Sequence, residues 1–243
     1  MHFKSPEISI ILPVYNCYTA FTIGIEHLKQ TLKGLPMESE VIVVNDGSEI
    51  YFDQINEEAL RQECILVSYR KNRGKGYAVK QGVQAALGKV IIYMDGDLPF
   101  DLSIINDAMV SFKNQDADIV IGNRTINSSI IRANKSFRKF GSKLVSNFAN
   151  LILIKKIPDT QCGFKAFKKE VAKDIFSKQK ITGYSFDIEI LFLAQKSNYR
   201  ICQIPVTVNK QYGSNVEIIW HGFQIILNII GIKLKSKLYK KSE

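Results

Sequence analysis

The run VIIYMDGD, Val90 to Asp97, decides the fold. Five apolar residues, most of them β-branched, read as a strand covered on both faces, and two carboxylates follow where the strand runs out. The same pattern recurs on either side of it. Strands are expected at Ile8 to Val14 (ISIILPV), Val41 to Asn45 (VIVVN), Ile65 to Ser68, Val90 to Asp95 and Asp118 to Gly122, with helical stretches near 18–33, 53–62, 75–87 and 101–114. That alternation predicts βαβ units, hence an α/β fold with a mostly parallel sheet flanked by helices. Ligands of such open sheets bind outside the carboxyl ends of the strands. The residues there are Pro13-Val14-Tyr15-Asn16, Asn45-Asp46-Gly47-Ser48, Asp95-Gly96-Asp97 and Gly122-Asn123-Arg124, so four elements converge on one rim.

The net charge of +10 on 243 residues is unevenly placed. Residues 1–123 hold 11 basic and 16 acidic side chains, 124–173 hold 12 and 2, and 174–243 hold 10 and 5. A middle block this basic points to an anionic partner there: phosphate groups, a lipid surface or nucleic acid. Nucleic acid is disfavoured. Phe137, Phe140 and Phe148 share helical apolar positions with Leu144 and Leu151 rather than interleaving with the cations as base-stacking platforms do. Cys17, Cys64, Cys162 and Cys202 are scattered, with neither zinc-ligand spacing nor a disulfide framework, and a reducing cytosol fits them best. The first residues lack an apolar core, so neither a signal peptide nor an amino-terminal anchor is expected.

Asp95 and Asp97 lie two residues apart, and in extended geometry they point the same way. Two close carboxylates repel unless a cation lies between them, and Mg²⁺ or Mn²⁺ held by one or two carboxylates plus substrate phosphates relieves that cost. Asp101 reads either as an outer ligand or as a helix N-cap. Asp46 stands where nucleotide-binding sheets place a carboxylate for ribose or base donors, and a turn-forming Asp is the alternative. Arg73-Gly74-Lys75-Gly76 opens a helix and combines glycines, cations and free N–H groups into an anion cradle, without the pattern of a dinucleotide fingerprint or a P-loop.

In the order PVYN, NDGS, RGKG, DGD and GNR, these residues resemble the family 2 glycosyltransferases of the GT-A fold. Asp159-Thr160-Gln161-Cys162-Gly163-Phe164-Lys165, followed by Phe186-Asp187-Ile188-Glu189, looks like the dolichyl-phosphate glucosyltransferase group and its prokaryotic relatives. The resemblance covers about residues 7–215. It implies metal-dependent, inverting transfer of a hexose, foremost glucose from UDP-glucose, to a polyprenyl or dolichyl phosphate; the alternative is a carbohydrate acceptor in surface polysaccharide synthesis. It implies that Pro13, Tyr15 and Asp46 hold the nucleoside, Arg73 and Lys75 the base or phosphates, and Asp95 and Asp97 the metal. Arg124, Arg132 and Arg138 would face the acceptor phosphate, with Gln161 and Asp187 near the donor sugar. Asp187 and Glu189 also suit a helix start by macrodipole placement alone. The eukaryotic members carry an amino-terminal membrane helix, which the sequence here is not expected to supply. This chain also has Gly213-Ser214-Asn215 where they have Gly-Ser-Lys, with Lys210 a substitute cation.

Residues 1–215 are read as the transferase domain and 216–243 as a basic amphipathic segment. Glu217, His221, Gln224, Asn228 and Lys235 draw a narrow polar stripe along an otherwise apolar helix. Ile218 to Ile232 extends about 22 Å, short of the ~30 Å hydrocarbon layer. A helix lying in the membrane interface is therefore expected, with burial against the domain or in a homodimer as alternatives. The corresponding location is peripheral, on the cytoplasmic face of a membrane.

Overall fold

The structure, a computed structural model, describes residues 5–126, 136–208 and 218–239, with the side chains of 136–143, 218–223 and 238 outside the description. The strands are β1 (Ile8–Val14), β2 (Ser39–Asp46), β3 (Ile65–Tyr69), β4 (Val90–Met94), β5 (Ile119–Asn123), β6 (Phe164–Lys168) and β7 (Ile201–Pro205). The helices are α1 (Tyr18–Lys33), α2 (Phe52–Arg61), α3 (Lys75–Ala85), α4 (Ile104–Asn114), α5 (Ser136–Ile152), α6 (Lys169–Lys178), α7 (Phe186–Lys196) and α8 (Ile218–Leu234). The strands form one sheet in the order β3-β2-β1-β4-β6-β5-β7. All neighbours run parallel except β6, which is antiparallel to both β4 and β5.

That one reversed strand brings a distant stretch to the rim. Because β6 enters where β4 ends, with Phe164 opposite Met94, the residues just before it reach the carboxyl ends of β4 and β5. Residues 159–163 therefore share the rim with Asp95 and Arg124, a placement that topology alone accounts for.

Alternate side chains of each strand go to opposite faces. Ile11, Ile42, Val44, Ile91, Tyr93, Ile121 and Phe167 meet α3, α5, α6, α7 and α8. Ile10, Leu12, Val43, Ile92, Met94 and Phe164 meet α1, α2 and α4. Helix α7, FDIEILFLAQK, is buried around almost its whole circumference, so it needs cover on the side away from the sheet. Helix α8 packs beside it, placing Ile225, Ile229 and Ile232 in the same core.

Helix α8 is thus covered by the domain along one side, in line with the alternative of burial against it. Asn228 turns inward and donates to Ser185 Oγ at 2.9 Å, whereas Leu227, Ile230 and Leu234 face outward. The demand of α7 for apolar cover turns Ile225, Ile229 and Ile232 to the interior. Burying these three isoleucines contributes about 6 kcal/mol, comparable to the whole stability of an ordinary domain. A chain ending at Asn215 is therefore expected to unfold at much lower urea, followed by far-UV circular dichroism; an unchanged midpoint would contradict this packing.

Candidate active site

The first three rim loops are tied into one surface. Asn16 donates its backbone N–H to Ser48 Oγ at 3.1 Å and accepts at Oδ1 from the N–H of Ile50 at 3.0 Å, joining PVYN to NDGS. Asp46 is 2% exposed, and each of its carboxylate oxygens takes two protein donors. Oδ1 accepts from Tyr69 OH at 2.7 Å and Arg73 N–H at 2.9 Å, and Oδ2 from Asn72 Nδ2 and Gly74 N–H, both at 3.0 Å. These contacts fix the turn that opens α3. Gly74 sits there at φ +95°, where a Cβ would come within 2.6 Å of the Thr182 carbonyl. Arg73 lays its guanidinium 3.9 Å from the Tyr77 ring centroid and donates to Tyr77 OH at 2.6 Å. Pro13 is half-buried at the end of β1, and Tyr15 beside it is 40% exposed. Burial and the neighbouring Glu49 raise the Tyr15 phenol above its ordinary pKa.

β4 stops at Met94, and the chain turns instead of remaining extended: Leu98 N–H donates to the Asp95 carbonyl at 2.9 Å. The expected extended geometry of the two carboxylates is therefore replaced by a turn across Gly96 and Asp97. Its backbone is drawn toward β1, since a Cβ on Gly96 would come within 2.5 Å of the Pro13 carbonyl. Lys75 Nζ donates to Asp95 Oδ1 at 2.5 Å. On its other side Asp95 rests on Gly163, where a Cβ would overlap the carboxylate, and Asp95 N–H donates to the Gly163 carbonyl at 3.1 Å. Burial would raise the Asp95 pKa, but Lys75, then Arg124 and Lys165, outweigh it and hold the carboxyl below its usual range. Lys75 answers in kind: burial works against its charge, while Asp95 and Asp187 raise its pKa above the ordinary lysine value. The Cys17 thiol is pushed up to about 11 by burial first, with Asp97 and Asp95 adding to it.

Two buried ion pairs flank this pair. Arg124 grips Asp159 through Nε at 2.8 Å and Nη2 at 2.7 Å, and its own N–H donates to the same carboxylate at 2.9 Å. Burial opposes ionisation of Asp159, yet Arg124 keeps its pKa low. Lys165, fully buried on β6, donates to Asp187 Oδ1 at 2.6 Å and to the Cys162 carbonyl at 2.8 Å. Tyr93 OH donates to the same Asp187 oxygen at 2.6 Å. Glu189, two residues further along α7, accepts from the N–H groups of Lys180 at 3.0 Å and Ile181 at 2.8 Å and from Tyr239 OH at 2.6 Å.

The structure thus brings Pro13, Tyr15, Asp46, Arg73, Lys75, Asp95, Asp97, Arg124 and Asp187 to one rim, with Gln161 half-buried in the turn before β6. Arg132, Lys210 and Asn215 lie outside the described residues, as does the side chain of Arg138 on α5. Asp101 accepts from the N–H of Ser103 at 3.0 Å just before α4, the local bond of its helix-start alternative. Sequence reasoning assigned no role to Lys165, Asp159 or Tyr93. A lysine on the inward alternation of FKAFK was the available signal.

The donor set suits a hard divalent cation. Among the described residues no three His, Cys, Asp or Glu side chains gather into a metal cage. Asp95, kept ionised, and Asp97 beside it match instead the sparse carboxylate set of an ion that completes its shell with substrate phosphate and water. Lys75, Arg124 and Lys165 are each paired with an aspartate, Asp95, Asp159 and Asp187 in turn, and of the three only Lys165 is fully buried.

Comparison with known proteins agrees with this architecture. A dolichyl-phosphate beta-glucosyltransferase from Dictyostelium discoideum is 30% identical over 94% of this chain and 74% of its own length. One from Homo sapiens is 29% identical over 94% and 75%. Among solved structures, mannosyl-3-phosphoglycerate synthase from Rubrobacter xylanophilus superposes with a TM-score of 0.72 at 15% identity, over 98% of this chain and 77% of that one. Glucosyl-3-phosphoglycerate synthase from Mycobacterium tuberculosis, solved with Mn²⁺, UDP and glucosyl-3-phosphoglycerate, gives 0.63 at 14% identity over 98% and 81%. These two establish the shared GT-A fold. Residues 9–176 match the family described as Glycosyl transferase family 2. That match runs from β1 into α6 and takes in all but the last strand of the sheet, so the chain belongs to glycosyl transferase family 2 and is a glycosyltransferase.

Proposed function

We propose that the protein transfers glucose from UDP-glucose to the phosphate of a polyprenyl or dolichyl lipid, inverting the anomeric carbon, with Mg²⁺ or Mn²⁺ held by Asp95 and Asp97. The observation that carries this reading is Lys75 Nζ seated on Asp95 Oδ1 at the carboxyl end of β4, with the partly exposed Arg124 on the same rim, cations that suit a reaction with phosphate on both donor and acceptor. The relatives named dolichyl-phosphate beta-glucosyltransferase supply the sugar and the acceptor class. A β product from an α-linked nucleotide sugar implies a single displacement.

In this reading Pro13, Tyr15 and Asp46 border the nucleoside, and Arg73 and Lys75 meet the base and diphosphate. When bound, the metal supplies Lewis-acid neutralisation of the departing diphosphate. Lys75 stabilises the same developing charge from a fixed position at the start of α3. Gln161 and Asp187 orient the donor sugar. Arg124, Arg132 and Arg138 receive the acceptor phosphate, whose oxygen is already anionic at neutral pH and needs no strong base. The competing carbohydrate acceptor would require Asp187 to take a proton, and Asp187 Oδ1 is already occupied by Lys165 and Tyr93. The donor is tested by offering the purified protein a panel of UDP- and GDP-sugars with polyprenyl phosphate. UDP-glucose is expected to turn over fastest; faster use of a GDP-sugar would overturn the donor assignment.

The lipid contact in this reading is the outward face of α8. No helix among the described residues is long and apolar enough to cross a membrane. Leu227, Ile230 and Leu234 are 51%, 40% and 79% exposed, and Lys233, Lys235 and Lys237 lie exposed beside them. Helix α5, packed against α8, also exposes Leu144 and Leu151. Apolar side chains flanked by lysines suit the interface of an anionic leaflet, and a peripheral location on the cytoplasmic face of a membrane goes with this reading; each lysine adds about 1 kcal/mol. The triple change Leu227→Ser, Ile230→Ser, Leu234→Ser leaves the buried isoleucines in place. It is expected to weaken sedimentation with phosphatidylserine vesicles at least about tenfold. Undiminished sedimentation would move the membrane contact elsewhere.

A further inference from the structure

The carboxy-terminal segment has an inner side that ends at the loop closing over the RGKG turn. Tyr239 is 5% exposed and donates its OH to Glu189 Oε1 at 2.6 Å. The Lys180 ammonium sits 4.7 Å from the Tyr239 ring centroid, and Lys196 Nζ reaches the carbonyls of Ser236 and Tyr239. Glu189 in turn holds the N–H groups of Lys180 and Ile181 at 3.0 and 2.8 Å.

The held loop then grips the start of α3. Gln179 Nε2 donates to the carbonyls of Gly76 at 2.9 Å and Ile181 at 2.7 Å, and Tyr77 N–H donates to the Thr182 carbonyl at 3.2 Å. The Thr182 carbonyl is also the group against which Gly74 is packed. A continuous set of hydrogen bonds thus runs from Tyr239 through Glu189 and residues 179–182 to Gly76 and Tyr77, with Gly74 packed against the same loop. Asn228 makes a second connection from α8 to Ser185, immediately before α7 and Asp187.

We infer that Tyr239 is a positioning residue for the donor site: through Glu189 it sets the 179–182 loop, and through that loop the turn carrying Arg73 and Lys75. This rests on the reading of that turn as the diphosphate site. The hydroxyl is the group that matters, since the ring is held independently by Phe192, 5.7 Å away between centroids, and by Lys180. Burial and Glu189 raise the Tyr239 phenol above its ordinary pKa, so it remains a donor throughout the neutral range.

The test compares Tyr239→Phe with Ile232→Val, which trims the buried face of α8 without touching Glu189. Calorimetric titration of the full chain with UDP in the presence of Mn²⁺ is expected to show about five- to tenfold weaker binding for Tyr239→Phe, the scale of one ordinary hydrogen bond. Ile232→Val is expected to bind as the wild type does even where its Tm falls as far. Hydrogen exchange at the Lys180 and Ile181 amides should rise in Tyr239→Phe alone. Wild-type UDP affinity in Tyr239→Phe, or equal weakening in both variants, would overturn the inference by reducing Tyr239 to a structural contact. Failure of the wild type itself to bind UDP would overturn the donor-site reading, and this inference with it.

Discussion

Replacing Asp97 by Asn is expected to lower kcat about a thousandfold, the scale of the several kcal/mol that a bound cation contributes to a departing diphosphate. The same loss is expected for the unaltered protein in excess chelator, with recovery on adding Mg²⁺ or Mn²⁺. The substitution preserves shape at a half-buried rim position beyond the end of β4, so the Tm should stay near that of the wild type. Asp95→Asn should be as inactive and should also release Lys75 from its 2.5 Å contact. Turnover within tenfold of the wild type under full chelation would remove the metal from the account.

The second large effect is on stability. Lys165→Met leaves Asp187, only 4% exposed, with the Tyr93 hydroxyl as its remaining partner at Oδ1. Stranding a buried charge in this way costs about 3–5 kcal/mol, much more than the pair itself contributes. The double variant Lys165→Met, Asp187→Asn should therefore recover at least half of the loss, because no charge is then left unpaired. Chemical denaturation of the four proteins reads this cycle directly. A single variant as stable as the wild type, or a double variant showing the full sum of both losses, would contradict the buried pair.

How much of this was legible in the sequence varied with how each element is stabilised. β1, β2, β4 and β5 were plain because they are buried on both faces and read as unbroken apolar runs. β6 was opaque as a strand. Its FKAFK carries a lysine where a core residue is expected, and only a distant aspartate on α7 makes that lysine acceptable there. α7 lacked an amphipathic pattern for the opposite reason, being covered by the sheet on one side and by α8 on the other.

The rim residues at strand ends were legible because position in an α/β sheet is itself informative. What individual side chains do there was less so. Position and resemblance point Asp46 to the nucleoside, with a turn-forming Asp as the alternative; its contacts to Tyr69, Asn72, Arg73 and Gly74 are ones that only folding brings together. Along α8 periodicity gives the angle between residues and not which side faces the core: Gln224 and Lys235 of the polar stripe are exposed, while Asn228 is half-buried. Asn228 lies inward since Ser185 is there to receive it.

The central claim is the chemical nature of the acceptor, and mass spectrometry of the product tests it most directly. Purified protein, UDP-glucose and Mg²⁺ are incubated with polyprenyl phosphate, with the same polyprenol lacking its phosphate, and with a panel of oligosaccharides. The account predicts one product, a glucosyl phosphoryl polyprenol with the β configuration, formed only from the phosphorylated lipid. Glucose transferred to an oligosaccharide, with none on the lipid phosphate, would contradict it.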